Sequence, residues 1–291
     1  MKNIILLLFV AAVIMISCSP DEENSKSGDS IVQSSDEGYV NGHAYVDLCL
    51  PSGLKWATMN VGATNVTDYG NYYAWGETKA YGEEDQSNAS NYSYANSYTK
   101  TYYYWNTYKW CNGSGKSLTK YCTDPLYGTE DGKITLDPED DAATQNWGGK
   151  WRMPTREEWT ELLYNCYWKW VDSYNDSGVA GYIGYVAKSP SDKGMVTQGY
   201  NGYYPASLYS AYLDTHIFLP AAGVYSYSSN SEVNKGRYWS SSLRRQNNLG
   251  SSIFFRFEVH DTGKRIDDKD LHLFVTSEDR YYGQSVRAVC E

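Results

Sequence analysis

The sequence predicts an α+β domain of short antiparallel strands with two adjacent helices and long Tyr-rich loops. Three observations predict it. Alternating apolar runs open and close the folded part, two helix signatures lie side by side between them, and the strand–helix alternation that builds a parallel sheet is missing. The unit does not repeat within the chain, so residues 39–291 are expected to form a single domain.

In chain order, Lys2, the apolar run Ile4 to Ile16 and then Ser17-Cys18 read as an export signal over residues 1–17. The run is too short to cross a bilayer comfortably. A lone Cys directly after the apolar core resembles the lipobox of bacterial lipoproteins, which implies lipidation at Cys18 and attachment to the outer membrane through that lipid. An ordinary signal followed by an incidental Cys is the alternative. Residues 18–38 are polar and nearly free of large apolar side chains. They cannot bury enough surface to offset their ordering entropy and are expected to form a flexible acidic tether. Within it, Asp21-Glu22-Glu23 resembles the run that sends lipoproteins of Bacteroidota-type bacteria to the cell surface, and equally fits a solvated linker.

The folded part opens with the runs Ala44 to Leu50 and Leu54 to Val61 around Pro51-Ser52-Gly53, a β-hairpin pattern with Pro fixing φ and Gly taking the unusual dihedral. A short strand is expected at Tyr72 to Trp75. Residues 78–130 then carry eight Tyr between Tyr81 and Tyr108, plus Trp105 and Trp110, with few aliphatics and no helical period. Loops and short hairpins are expected there, together with a candidate binding surface.

Two helices follow. Asp137-Pro138-Glu139-Asp140 supplies an N-cap, a Pro at the first helical position and first-turn acids ahead of DAATQNW, and Gly148-Gly149 stops the helix. Thr155 and Glu158 form a capping box for the second helix, in which Trp159, Leu162, Leu163 and Cys166 recur at core-facing spacing. Arg152 or Glu157 is available for an ion pair. From Gly181 onward the strings GYIGYVAK, HIFLPAAG, RYWSSS, SSIFFRFEVH, LHLFVTS and QSVRAVC read as short strands between turn clusters.

Charge and cysteine usage narrow the function classes. Without residues 1–17 the chain has 24 Lys and Arg against 35 Asp and Glu, a formal charge of −11, which argues against nucleic acid as a partner. Five cysteines follow Cys18, at positions 49, 111, 122, 166 and 290, a count that suits an oxidising compartment and leaves at least one over. There is no C-x-x-C, and His43, His216, His260 and His272 lie far apart, so no zinc, haem or other cofactor is expected.

The string DDAATQNWGGKWRMPTREEWTELL, with WATMNVGA and YYAWGE before it and FLPAAG, YWSSS and SVRAVC after it, resembles the Fibrobacter succinogenes major paralogous domain from about Tyr39 to the end. That family is similar to the wider C-type-lectin-like fold, which includes the sulfatase-modifying enzymes with their own R-L-P-T-x-x-E-W version of RMPTREEW. The resemblance implies that N- and C-terminal strands pair, with two helices on one side and long loops on the other. It also implies a Cys166–Cys290 disulfide, joining the second helix to the last strand. Cys111 and Cys122 are then the second pair, with Cys49 left over. Departures limit what carries across. The E-P-N, Q-P-D and W-N-D strings of calcium-dependent lectins do not occur, and Asp267, Asp268 and Asp270 fit an acidic turn better than a Ca²⁺ loop. The late reactive Cys pair of the sulfatase-modifying branch is missing too, since only Cys290 lies beyond Cys166.

These observations favour a surface-anchored, non-catalytic binding module for a glycan or a host or matrix protein. Tyr and Trp offer large rigid faces at low entropy cost. The candidates for such a surface are Tyr102, Tyr103, Tyr104, Trp105, Tyr203, Tyr204, Tyr225 and Tyr227, whereas Trp56, Trp75, Trp147, Trp151 and Trp159 are expected in the core. A structural surface or matrix component, or an enzyme related to the sulfatase-modifying oxidases, are the alternatives.

Overall fold

The computed structural model describes residues 37–84, 99–187, 212–232, 234–244, 251–260 and 270–291. The export signal, Cys18, most of the tether, Tyr203, Tyr204, Asp267 and Asp268 lie outside them.

The expected hairpin is present. Strand β2 (His43–Asp47) pairs antiparallel with a third strand, β3 (Lys55–Asn60), with Val46 opposite Trp56, and Gly53 (φ 72°) closes the turn by donating to the Leu50 carbonyl at 2.8 Å. Ahead of them, β1 (Glu37–Val40) joins β2 through Asn41-Gly42, with φ of 47° and 80°. That is the two-residue hairpin turn Asn-Gly favours, and it places the start of the folded part slightly before residue 39.

The chain between β3 and the next sheets carries the helices. Helix α1 (Ala142–Trp147) begins later than expected. Pro138–Asp140 forms a separate 3-10 turn, and Asp141 is the cap, its carboxylate accepting from Thr144 N at 2.9 Å and from Met153 N at 2.8 Å. Gly148 and Gly149 end α1 with positive φ. Helix α2 (Arg156–Asn165) has the expected capping box, and Glu158 additionally takes a two-point ion pair from Arg152 at 2.7 and 2.8 Å. Cys166 is not helical: α2 runs directly into β4 (Cys166–Val171).

The rest is β-structure, and every sheet ladder is antiparallel. Strands β5 (Gly181–Ala187) and β6 (Tyr212–Pro220) complete a sheet in the order β4-β5-β6, and β7 (Val224–Ser226) and β8 (Ser229–Ser231) form a hairpin. A third sheet has the order β11-β10-β9, from β9 (Lys235–Leu243), β10 (Ser251–His260) and β11 (Asp270–Asp279). The last strand, β12 (Arg287–Cys290), returns to pair with β3, giving β1-β2-β3-β12. The two ends of the domain therefore meet in one sheet, and the molecule is an α+β assembly of several small sheets with few helices. Tyr72 to Trp75 is not a full strand: Tyr73 makes one bridge with Gln284.

Because successive strand residues face opposite ways, the central sheet has a core on each face. Val46, Trp56 and Val289 pack with Trp159 and Leu162 of α2, whereas Ala57, Ala288 and Cys290 pack with Ala142, Ala143 and Trp147 of α1. This corrects the expectation of two helices on one side. The five tryptophans expected in the core are all buried. A third cluster, including Tyr72, Tyr103, Tyr108, Cys111, Leu118 and Cys122, lies under the loops.

The same alternation overturns the disulfide expectation. No disulfide joins the cysteines among the described residues. Cys166 packs in the α2 cluster, while Cys290 is sent to the opposite face of β12 by its neighbour Val289, which fills the α2 side. Cys111 and Cys122 share a cluster, but each thiol donates to a nearby carbonyl, Cys111 to Trp105 at 3.0 Å and Cys122 to Asp124 at 3.1 Å.

Arg287 ties these layers together. Fully buried, it donates through Nε to Asn60 Oδ1 (2.9 Å), through Nη1 to the Ala57 carbonyl (2.9 Å) and through Nη2 to the Phe218 carbonyl (3.0 Å). It thereby links β12 to β3 and to β6. Burial pushes its pKa down to about 10, still charged at neutral pH.

Two outcomes test this arrangement. Arg287→Met is expected to lower stability by about 3 kcal/mol in urea unfolding, since three buried acceptors lose their donors, and Arg287→Lys to recover little, because one ammonium cannot replace the fork. Cys111, Cys122 and Cys290 are buried, and burial raises the Cys111 and Cys290 thiols above their ordinary range; all three are expected to resist alkylation in the folded protein because reagent cannot reach them. After unfolding without reductant all three are expected to be alkylated, as read by peptide mass mapping; any of them recovered as a disulfide contradicts the structure.

Candidate functional site

Two of the Tyr-rich strings converge although more than a hundred residues separate them. Tyr103 N donates to the Tyr227 carbonyl at 2.8 Å and Tyr227 N to the Tyr103 carbonyl at 3.0 Å. A second bridge, Tyr225 with Gly283 at 2.8 and 2.9 Å, adds a third segment. Residues 102–104, 225–227 and 281–283 thus lie side by side.

Local geometry decides which rings face outward. Tyr104 is extended (φ −162°, ψ 170°), so Tyr102 and Tyr104 point one way and Tyr103 the other. Tyr103 is fully buried, its hydroxyl donating to the Tyr72 carbonyl at 2.6 Å, and it leaves the list of surface candidates. Tyr227 occupies the two-residue turn between β7 and β8 with φ 54°, a left-handed backbone that is costly for a side chain of this size, and its ring is 48 % exposed. A methyl group on Gly283 would lie 2.6 Å from the Tyr103 ring, so the bare backbone there lets the third segment close onto the other two.

The rings form a continuous array. Tyr104, 37 % exposed, stacks against Tyr227 with centroids 5.2 Å apart and planes 18° apart. Tyr102 meets the Tyr227 ring edge-on at 5.4 Å, and Tyr281 does the same to Tyr104 at 5.3 Å and Trp105 at 5.1 Å. Tyr281 stacks on Tyr282 at 4.5 Å. Underneath, Tyr225 packs on Tyr72 and Tyr81 at 4.7 and 4.6 Å. Partial burial and neighbouring phenols raise the pKa of Tyr227, and burial together with the Tyr282 hydroxyl raises that of Tyr281. The exposed Tyr227 ring therefore carries a neutral hydroxyl at physiological pH.

Of the candidates read from sequence, Tyr102, Tyr104, Trp105, Tyr225 and Tyr227 are brought together, Tyr103 is turned inward, and Tyr203 and Tyr204 lie outside the described residues. Tyr281 and Tyr282 were missed. Their signal was the aromatic pair followed by Gly in RYYGQS, a turn between two predicted strands.

A separate group of oxygens is not a cation site. Asp137, Glu139 and Asp140 converge, but the Lys120 ammonium stands among them, 2.7 Å from Asp137 and 2.5 Å from Asp140. Burial works against this charge, yet the hydrogen bonds to Asp137 and Asp140 hold Lys120 above its ordinary value.

No family model matches the chain, and no curated protein or solved structure matches it.

Proposed function

We propose that this chain is a surface-anchored lipoprotein, held to the outer membrane through lipid on Cys18, whose domain is a non-catalytic binding module for glycans. The aromatic array carries the reading: Tyr104 and Tyr227, chosen independently from sequence, stack on one another at the surface, flanked by Tyr102, Trp105 and Tyr281. Ring faces take the apolar faces of sugars, and un-ionised phenols donate to sugar hydroxyls. The sequence resemblance to the Fibrobacter succinogenes major paralogous domain, and through it to C-type-lectin-like folds, supports the same reading. An antiparallel sheet that joins the two ends of the domain, with long loops outside it, agrees with that resemblance.

Full-length protein applied to an array of neutral oligosaccharides is expected to show saturable binding. Tyr104→Ala and Tyr227→Ala should weaken it about tenfold. Gly283→Ala should weaken it as well, by displacing Tyr103. No saturable glycan binding, or binding indifferent to all three substitutions, would overturn the glycan reading, and capture of a protein in its place would move the face to protein recognition.

Anchoring is tested separately. Cys18→Ala is expected to release the protein from the membrane fraction and abolish labelling by radioactive palmitate; persistent labelling would sink the lipid attachment.

A further inference from the structure

An open cleft of 680 Å³ that shares no residue with the aromatic face lies where the first turn of α2, the end of β9 and the middle of β11 approach one another. Its floor is built by the segment around Thr135, which extends the sheet: Leu243 N donates to the Ile134 carbonyl at 2.8 Å, and Leu136 N to the Ser241 carbonyl at 3.0 Å. Two arginines are among the residues that line it, Arg156 and Arg244. Arg156 N is held by Ser242 Oγ at 3.0 Å, and Arg244 Nη1 donates to Ser277 Oγ at 2.7 Å, which orients that side chain and leaves the rest of its fork unused by Ser277. Among the described residues, no carboxylate pairs with either arginine.

We propose that this cleft is a second binding site, for a saccharide carrying one carboxylate. Four lines of chemistry converge on that ligand. The chain carries a net charge of −10, so two cations in one cleft reverse the sign of its surroundings and attract an anion locally. Arginine forks match a carboxylate with two parallel hydrogen bonds. Among the described residues Glu157 is the only acid in the lining, against two arginines, a balance of one positive charge that suits a single carboxylate better than a doubly charged phosphate. Finally, Ser242, Thr276 and Ser277 supply hydroxyls beside an apolar wall of Ile134, Leu243 and Val275, the combination a sugar ring requires, and the volume lies within the usual range for small-ligand sites. The cleft shares no residue with the aromatic face, so either site stands if the other fails.

Calorimetric titration of the full-length protein with a disaccharide containing one uronate tests the proposal. Saturable binding is expected. It should weaken about tenfold or more in Arg156→Ala and Arg244→Ala, both exposed positions whose loss leaves the core intact, and equally when the carboxylate is converted to its methyl ester. Tyr104→Ala should leave it unchanged. No saturable uronate binding, equal affinity for the ester, or affinity that survives both arginine substitutions would overturn the site. Inorganic phosphate binding as tightly as the uronate would overturn the saccharide assignment in favour of a general anion site.

Discussion

Buried backbone carbonyls outside regular structure are the constraint on which the rest of this fold depends. Residues 61–84 and 99–141 contain only short turns and single bridges, yet much of this chain is covered. Peptide carbonyls removed from water need donors, and leaving one unsatisfied costs about 1–3 kcal/mol. Large side chains supply them here. Trp239 Nε1 donates to the Tyr73 carbonyl, Tyr108 Oη to Trp75, Trp110 Nε1 to Gly76, Lys100 Nζ to Thr107 and Arg280 to Tyr121. Arg287 does the same between sheets. Each of these groups brings an apolar body or stem along with its donor, so one side chain fills space and satisfies a loop.

Among the described residues this constraint accounts for several Tyr and Trp without any ligand: Tyr72, Tyr103, Tyr108 and Tyr238, and Trp75, Trp110, Trp159 and Trp239, each donate to a backbone carbonyl. Burial holds Tyr72, Tyr73, Tyr108 and Tyr238 far above the ordinary phenol range, which keeps each hydroxyl protonated and able to donate. Lys100 follows the same logic with a charge: fully buried, it is matched by Glu77 at 2.8 Å and lies over the Tyr103 ring. Against this background the aromatic content of a segment says little about binding. What distinguishes Tyr104 and Tyr227 is that both stay partly exposed, stacked on one another, while their backbones are tied to the inward-turned Tyr103.

Features set by adjacent residues were legible in the sequence; those set by strand pairing were not. The Thr155–Glu158 box and the Pro51-Ser52-Gly53 turn are local, and both occur as read. Asp137 misled because it caps a single 3-10 turn, while Asp141, four residues on, gains two backbone donors and starts the helix. Cys166 misled because the apolar spacing of α2 continues without a break into β4, where the period changes from helix to strand. The Cys166–Cys290 pairing failed for a reason no spacing reveals: a one-residue difference along β12 decides which core a side chain enters. For the candidate face, single strings showed which residues were aromatic. Bringing residues 102–104 beside 225–227 required β7, β8 and the Gly283 approach, and Tyr103 was lost to the core by the alternation that exposed its neighbours.

The anchoring of the face matters for what it can do. Tyr227 stays in a left-handed turn because bridges to Tyr103 on one strand, and from Tyr225 to Gly283 on the next, over-determine the backbone on both sides. Tyr103 beneath is fixed by its own hydroxyl bond and by the buried Lys100. The exposed rings are thus carried on backbone whose conformation is settled before any ligand arrives, so the ordering cost that weakens loop-built sites is largely met by folding. Arg244 in the cleft is steadied in the same way by Ser277. A surface made of such pre-set elements gains affinity from shape and stacking rather than from closure.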